Sequence, residues 1–262
     1  MRSSAGRRGV TAVFTLLCAL PLAAQAPQTP PKEAGTTAAL PEAREVIERH
    51  IKAIGGRDVL MAQSSRHVTG TVTMPSAGLT GSFEVFEAKP DKAVMRMNLG
   101  GVGEMNEGFN GTVAWSMNPV TGPALLEGKQ LEEKKLDADF FGDLHPEKRY
   151  TSITTVERVA FEGRPCYKVQ LVRRDGGTDV QFYDVETGLR AGSIMTRESQ
   201  LGALNATIVE ADYKPFGKVL YPTRLTSTAM GVQQVLTVSG VEFDKVDPSV
   251  FEPPATIKAL IK

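Results

Sequence analysis

The chain has 262 residues, 41% hydrophobic and 23% charged, a composition that suits a folded globular protein and excludes disordered and fibrous classes. Thirty Lys and Arg balance thirty Asp and Glu, so the basic surface that carries non-specific nucleic-acid binding is not expected. Two cysteines and three histidines leave little material for a Cys/His metal centre, and neither a metal nor a cofactor is expected.

Arg2, Arg7 and Arg8 precede an apolar run over residues 10–22 and the small-residue stretch Ala23-Ala24-Gln25-Ala26. This is the layout of a secretory signal peptide, and the run is too short to span a bilayer comfortably. Residues 1–24 are read as the signal. Cleavage after Ala26 fits the A-x-A pattern equally, with Pro27 then an unfavourable first residue. Leu17 before Cys18 argues against a lipoprotein signal, and Gly9-Val10 does not continue a twin-arginine motif. Removal of the signal leaves 27 basic against 30 acidic residues and a single thiol, Cys166, which cannot pair internally. Cys166 reads as a small residue in a strand. No second apolar run approaches eighteen residues, so the expectation is an exported, soluble periplasmic protein.

Residues 25–39 are rich in Pro, Gln, Thr and Ala and read as a flexible leader. Residues 40–262 are expected to form one domain. Pro41 suits a first helical turn; Val46, Ile47, Ile51 and Ile54 then recur on one face, Glu45/Arg49 and Glu48/Lys52 are i,i+4 pairs, and Gly55-Gly56 closes the helix. His50 at the edge of the stripe is assigned to packing. From Arg66 onward short alternating runs are separated by turn signals at 75–78, 89–91, 100–103, 110–111, 162–163, 175–177, 186–188, 215–218 and 230–231. That spacing predicts an antiparallel meander. The interruption at 128–144, with Leu131, Leu136, Phe140 and Phe141 as an apolar face, predicts one or two helices across the sheet.

Alternation assigns faces. Ala93, Met95, Met97 and Leu99 share one side of a strand whose other side, with Arg96 and Asn98, is expected to be wet. Val68, Val72 and Met74, then Phe83 and Val85, then Val113, Trp115 and Met117 repeat the pattern. Further on, Leu189, Ala191 and Ser193 alternate with Arg190 and Gly192. Five methionines fall between residues 74 and 117, close to the single tryptophan. Such a group serves as core filler or as a soft, adaptable lining for an apolar ligand. Phe83, Val85, Met95, Met97, Leu99 and Trp115 are the candidate lining. A sheet this long must close, curl or be capped, and few helices are available to cap it.

Signals for chemistry are thin. Residues 122–129 miss the Walker spacing, the glycines at 101 and 103 lack a third partner, and neither G-x-S-x-G nor H-E-x-x-H occurs. His145-Pro146-Glu147 reads as an exposed turn. Asp137, Asp139 and Asp143 lack the glycine and closing glutamate of a calcium loop and read as a solvated helix end. No catalytic residue is assigned, and an enzyme is not expected.

Ala53-Ile54-Gly55-Gly56, Val68-Thr69-Gly70-Thr71-Val72, Gly78-Leu79-Thr80-Gly81-Ser82-Phe83-Glu84, Ala88-Lys89-Pro90-Asp91-Lys92, the phrase from Gly108 to Ser116, Asp184 to Leu189 and the ending Phe251-Glu252-Pro253-Pro254 together resemble the outer-membrane lipoprotein-sorting superfamily of LolA and LolB. The resemblance spans most of residues 41–254. It implies a mainly β (α+β) fold, a curved antiparallel half-barrel capped by a few helices, with an apolar cavity for acyl chains. The function then expected is a periplasmic carrier that holds acyl chains of a lipoprotein or lipid. The alternative is an envelope-sensing or assembly module that binds a protein partner, such as an envelope membrane protein, through a sheet edge or the charged segment 128–144. Nucleic acid is not an expected partner.

Overall fold

Apolar spacing turns residues 43–53 into a helix with one greasy side. In a computed structural model, which describes residues 39–199 and 202–261, α1 (Ala43–Ala53) buries Val46, Ile47, His50 and Ile51 and exposes Arg44, Glu45, Glu48, Arg49 and Lys52. The expected signal peptide (1–24), and the expected leader (25–39) up to residue 38, lie outside the described residues. At Gly55 the backbone takes φ +134°, and a Cβ there would lie 2.6 Å from the Lys218 carbonyl. Only glycine lets the chain press this close while turning into the short α2 (Arg57–Met61).

Strands follow in hairpins: β1 (Ser65–Met74), β2 (Leu79–Ala88), β3 (Lys92–Leu99), β4 (Gly103–Phe109), β5 (Ala114–Asn118) and β6 (Gly122–Leu125). A connection containing α3 (Gly128–Asp137) and the 3₁₀ turns Gly142–Leu144 and Pro146–Lys148 leads to a second series. This is β7 (Tyr150–Phe161), β8 (Arg164–Arg173), β9 (Thr178–Asp184), β10 (Arg190–Ser199), β11 (Gly202–Phe216), β12 (Val219–Ala229) and β13 (Val232–Phe243). All thirteen make one antiparallel sheet in the order 6-5-4-3-2-1-13-12-11-10-9-8-7. Two meanders therefore meet at a β1–β13 seam, with Val68 opposite Val241 and Val72 opposite Leu236. β6 and β7 are the two free edges, and the sheet stays open.

The sheet is strongly curled. α3 packs against β4 and β5 on one side and β10 on the other. Seven strand spacings separate β4 from β10, about 33 Å if the sheet were flat, whereas a ten-residue helix is about 15 Å long. One short helix touches both because the sheet bends around it. The segment 126–149 is thus a strap across the open side of a half-barrel.

Two apolar clusters line the inner face. α1 and α2 cover β7–β9 through Ile47, Ile51, Leu60, Tyr150, Val169, Leu171 and Tyr183. The second cluster, Val68, Val72, Phe83, Met97, Leu99, Val238 and Val241, comes from strands β1–β3 and β13 alone, with Val85, Met95 and Met105 at its margin.

The outer face of β3, expected to be wet, is dry in part. Val94 joins Phe86 and Trp115 there beneath Phe251 and Ile257, which come from the 3₁₀ turn Pro248–Phe251 and α4 (Ala255–Lys258). Alternation separated Arg96 from Met95 and Met97, and Arg96 lies over Phe86 on that outer side. It could not show that the chain's final segment returns to cover that side.

Candidate functional site

Between the inner face, α1 and the strap lies a cavity of about 440 Å³, within the size range of small-ligand pockets. One wall is apolar, with Ile47 and Ile51 from α1, Ile54 just after it, Phe140 and Phe141 from the strap, and Ile208 and Leu225 from the sheet. The floor is ionic. Arg66 on β1 grips Glu87 on β2 through Nε and a terminal nitrogen, both at 2.6 Å, and its guanidinium lies 5.7 Å from the ring centres of Phe140 and Tyr221. Arg149 reaches Asp137 at 2.6 Å. Arg190 on β10 donates Nε–H to Glu210 on β11 at 2.7 Å and holds Asp143 of the strap at 3.6 Å.

Local backbone irregularities build this centre. A bulge between Arg190 and Gly192 shifts the β9–β10 register by one residue, so that Arg190, like Ser193, points inward. The expected pattern, with Arg190 opposite in sense to Leu189 and Ser193, breaks at that bulge. On β11, Glu210 and Tyr213 are three residues apart and would face opposite ways under strict alternation. Asp212 between them has φ 55°, which interrupts the alternation, and the Tyr213 hydroxyl sits 2.7 Å from Glu210 and 2.9 Å from the Arg190 carbonyl.

Charge is distributed unevenly. The Arg190 guanidinium, helped by Arg66 and Arg149, holds the Asp143 carboxyl below the usual range. Burial pushes the Tyr183 and Tyr213 hydroxyls up, so both stay neutral donors. His50 receives the Arg190 backbone N–H on Nδ1 at 3.2 Å. Burial and the Arg190 charge bring it down to about 4, and it is a neutral acceptor at pH 7.

Of the candidate lining residues, Phe83, Val85, Met95, Met97 and Leu99 share the inner face and lie together. Phe83, Met97 and Leu99 are packed shut, whereas Val85 and Met95 are partly buried at the cluster's margin. Trp115 stands apart. It lies on the outer face over Gly108, where a Cβ would meet its ring at 2.3 Å, with its indole N–H on Asn106 at 2.9 Å and no exposure. None of the six is among the residues around the 440 Å³ cavity. Val85 and Met95 lie beside it, because Glu87 on its rim shares a strand face with Val85, whose cross-strand partner is Met95.

The ionic floor was not anticipated. Asp137, Asp139 and Asp143, read as a solvated helix end, all border the cavity; Asp137 engages Arg149 and Asp139 engages Lys148. A two-residue spacing on a charged segment looks the same whether it meets water or arginines from strands far away in sequence. The His145–Glu147 contact at 3.3 Å is partly exposed and outside the cavity.

An open half-barrel with a strap over a ligand-sized chamber defines a protein of LolA-like fold. The chain is similar to a LolA superfamily protein from Nitrosomonas europaea, with a TM-score of 0.55 and 15% identity over 82% of this chain and 99% of that one. It is similar to a DUF1329 family protein from Desulfovibrio piger (TM-score 0.54, 12% identity, 80% and 97% covered). A third similar structure is a domain from Vibrio parahaemolyticus described as an outer membrane lipoprotein-sorting protein (TM-score 0.50, 12% identity, 79% and 94% covered). No family model matches the sequence, and no curated protein matches it. Among the described residues no helix is long and apolar enough to cross a membrane, and no cluster of side chains is suited to a metal.

Proposed function

We infer that this protein is a non-enzymatic periplasmic carrier, residues 40–262 after a signal peptide (1–24) and leader (25–39), that shelters acyl chains of a lipoprotein or lipid. The observation that carries this reading is the chamber of about 440 Å³ under the strap, whose rim residue Glu87 shares a sheet face with the partly buried Val85 and Met95. Each methylene buried there is worth ~0.8 kcal/mol, so an apolar tail that must cross water gains from such a sleeve. The name of the Vibrio parahaemolyticus domain points the same way.

Native mass spectrometry of the protein purified from its own periplasm without detergent tests this. A co-purified apolar mass released by denaturation is the expected result. An empty protein that also leaves acyl-probe fluorescence unchanged overturns it. The second reading, a module that binds a protein partner, is favoured by β7, a twelve-residue edge strand free to accept another strand.

A further inference from the structure

Three arginines converge on the chamber, and they are not equally occupied. Arg66 commits its Nε and one terminal nitrogen to Glu87, and Arg149 commits one terminal nitrogen to Asp137 while its Nε is buried without a partner among the described residues, so neither presents both terminal nitrogens. Arg190 spends only its Nε on Glu210; among the described residues no hydrogen bond engages its terminal nitrogens, and the Asp143 carboxylate stands off at 3.6 Å. Asp143 belongs to the strap, yet its side chain is 74% exposed while it borders the chamber. A carboxylate that stays largely hydrated gains little from such a pair and loses little on leaving it. The guanidinium fork, by contrast, is shaped for two parallel hydrogen bonds to a carboxylate. Phe140, Phe141, Ile208 and Leu225 line the same chamber, and Val85 and Met95 lie on the sheet face that carries its rim residue Glu87.

We propose that the chamber takes single-chain amphiphiles bearing a carboxylate head, with Arg190 as the head-group anchor and Asp143 as a tethered carboxylate that holds the position until the ligand displaces it. This rests on the carrier reading and deepens it. The ligand brings the same charge as Asp143 and adds an apolar tail that the strap residue lacks, so exchange is favourable. Glu210 and Tyr213 keep Arg190 aimed from below and remain in place during the exchange.

The test is titration calorimetry of dodecanoate, dodecanol and acetate against the wild-type protein and Asp143→Asn. Asp143 is exposed, so the variant is expected to fold. Dodecanoate should bind wild type more tightly than dodecanol, and Asp143→Asn should tighten dodecanoate about fivefold while leaving dodecanol unchanged. Arg190→Gln should reduce dodecanoate to the affinity of dodecanol; should that variant not fold, the Asp143→Asn comparison decides alone. Equal binding of dodecanoate and dodecanol in both proteins overturns the head-group assignment and leaves the carrier reading intact. Acetate binding as tightly as dodecanoate overturns the amphiphile in favour of a small-carboxylate site. Failure of both long-chain ligands to bind overturns the carrier reading as well.

Discussion

His50 shows how a residue assigned to packing also senses protons. It is 6% exposed, with the Tyr183 ring edge-on at 5.4 Å, and it faces Arg190 and Asp143. Burial first, then the Arg190 charge, brings its pKa to about 4, while Asp143 and the Gly188 carbonyl pull the other way. In the unfolded chain imidazole titrates near 6.5, so between pH 6.5 and about 4 the unfolded state binds more protons. The stability that neutral His50 supplies is therefore complete above pH 6.5 and is lost as the pH falls towards 4, on the order of 3 kcal/mol in all. Asp143, held ionised by Arg190, does not titrate within that window. Thermal melts of wild type should show a falling midpoint from pH 7 to pH 4.5 and those of His50→Gln a much shallower fall. Equal slopes would remove His50 as the cause.

At the scale of elements, the returning C-terminal segment controls the environment of the protein's single tryptophan. Ile257 is fully buried against a cluster that contains Phe86, Val94 and Trp115. Ile257→Ala should cost about 2–4 kcal/mol, lift the cover and shift tryptophan emission to the red. Dodecanoate should leave the emission maximum of wild type in place, because Trp115 and the chamber are on opposite faces. An unshifted spectrum in the variant would mean that α4 does not shield the indole.

The same elements show what was legible in advance. α1, the hairpin turns and a helical interruption at 128–144 follow from local pattern, since periods of 3.6 and 2 are written in neighbouring residues. The inner-face grouping of Phe83, Val85, Met95, Met97 and Leu99 was equally readable, because cross-strand partners preserve the face. Trp115 was not, since alternation within one short strand leaves open which side faces inward. Nor was the ionic floor: it needs a bulge beside Ala191, a left-handed Asp212 and a strap crossing between edges, and each arises from contacts distant in sequence.

For the whole molecule, the β1–β13 seam carries more than the order of strands. The Ser64 backbone N–H and hydroxyl both donate to Asp244, at 2.6 and 2.7 Å, pinning the start of the first meander to the end of the second. Among the described residues, every strand-to-strand hydrogen bond between the halves runs through that seam, and none runs through the strap. A protease site engineered at 127–129, an exposed stretch, should therefore allow cleavage into two fragments that still co-elute in gel filtration with unchanged β circular dichroism. Separation of the fragments would show that the strap, rather than the seam, holds the halves together.

The strap also stores length. α3 has no fully buried residue and is held by Leu131 against the cluster of Phe109 and Ala114 and by contacts such as Lys134 to Glu107 at 2.8 Å. Its ten residues span about 15 Å as a helix but about 33 Å when extended, so unwinding releases roughly 18 Å of chain. On the carrier reading proposed above, the half-barrel is a bow whose string carries its own slack, length on which a bulkier guest would draw to spread the arms without breaking a rung of the sheet.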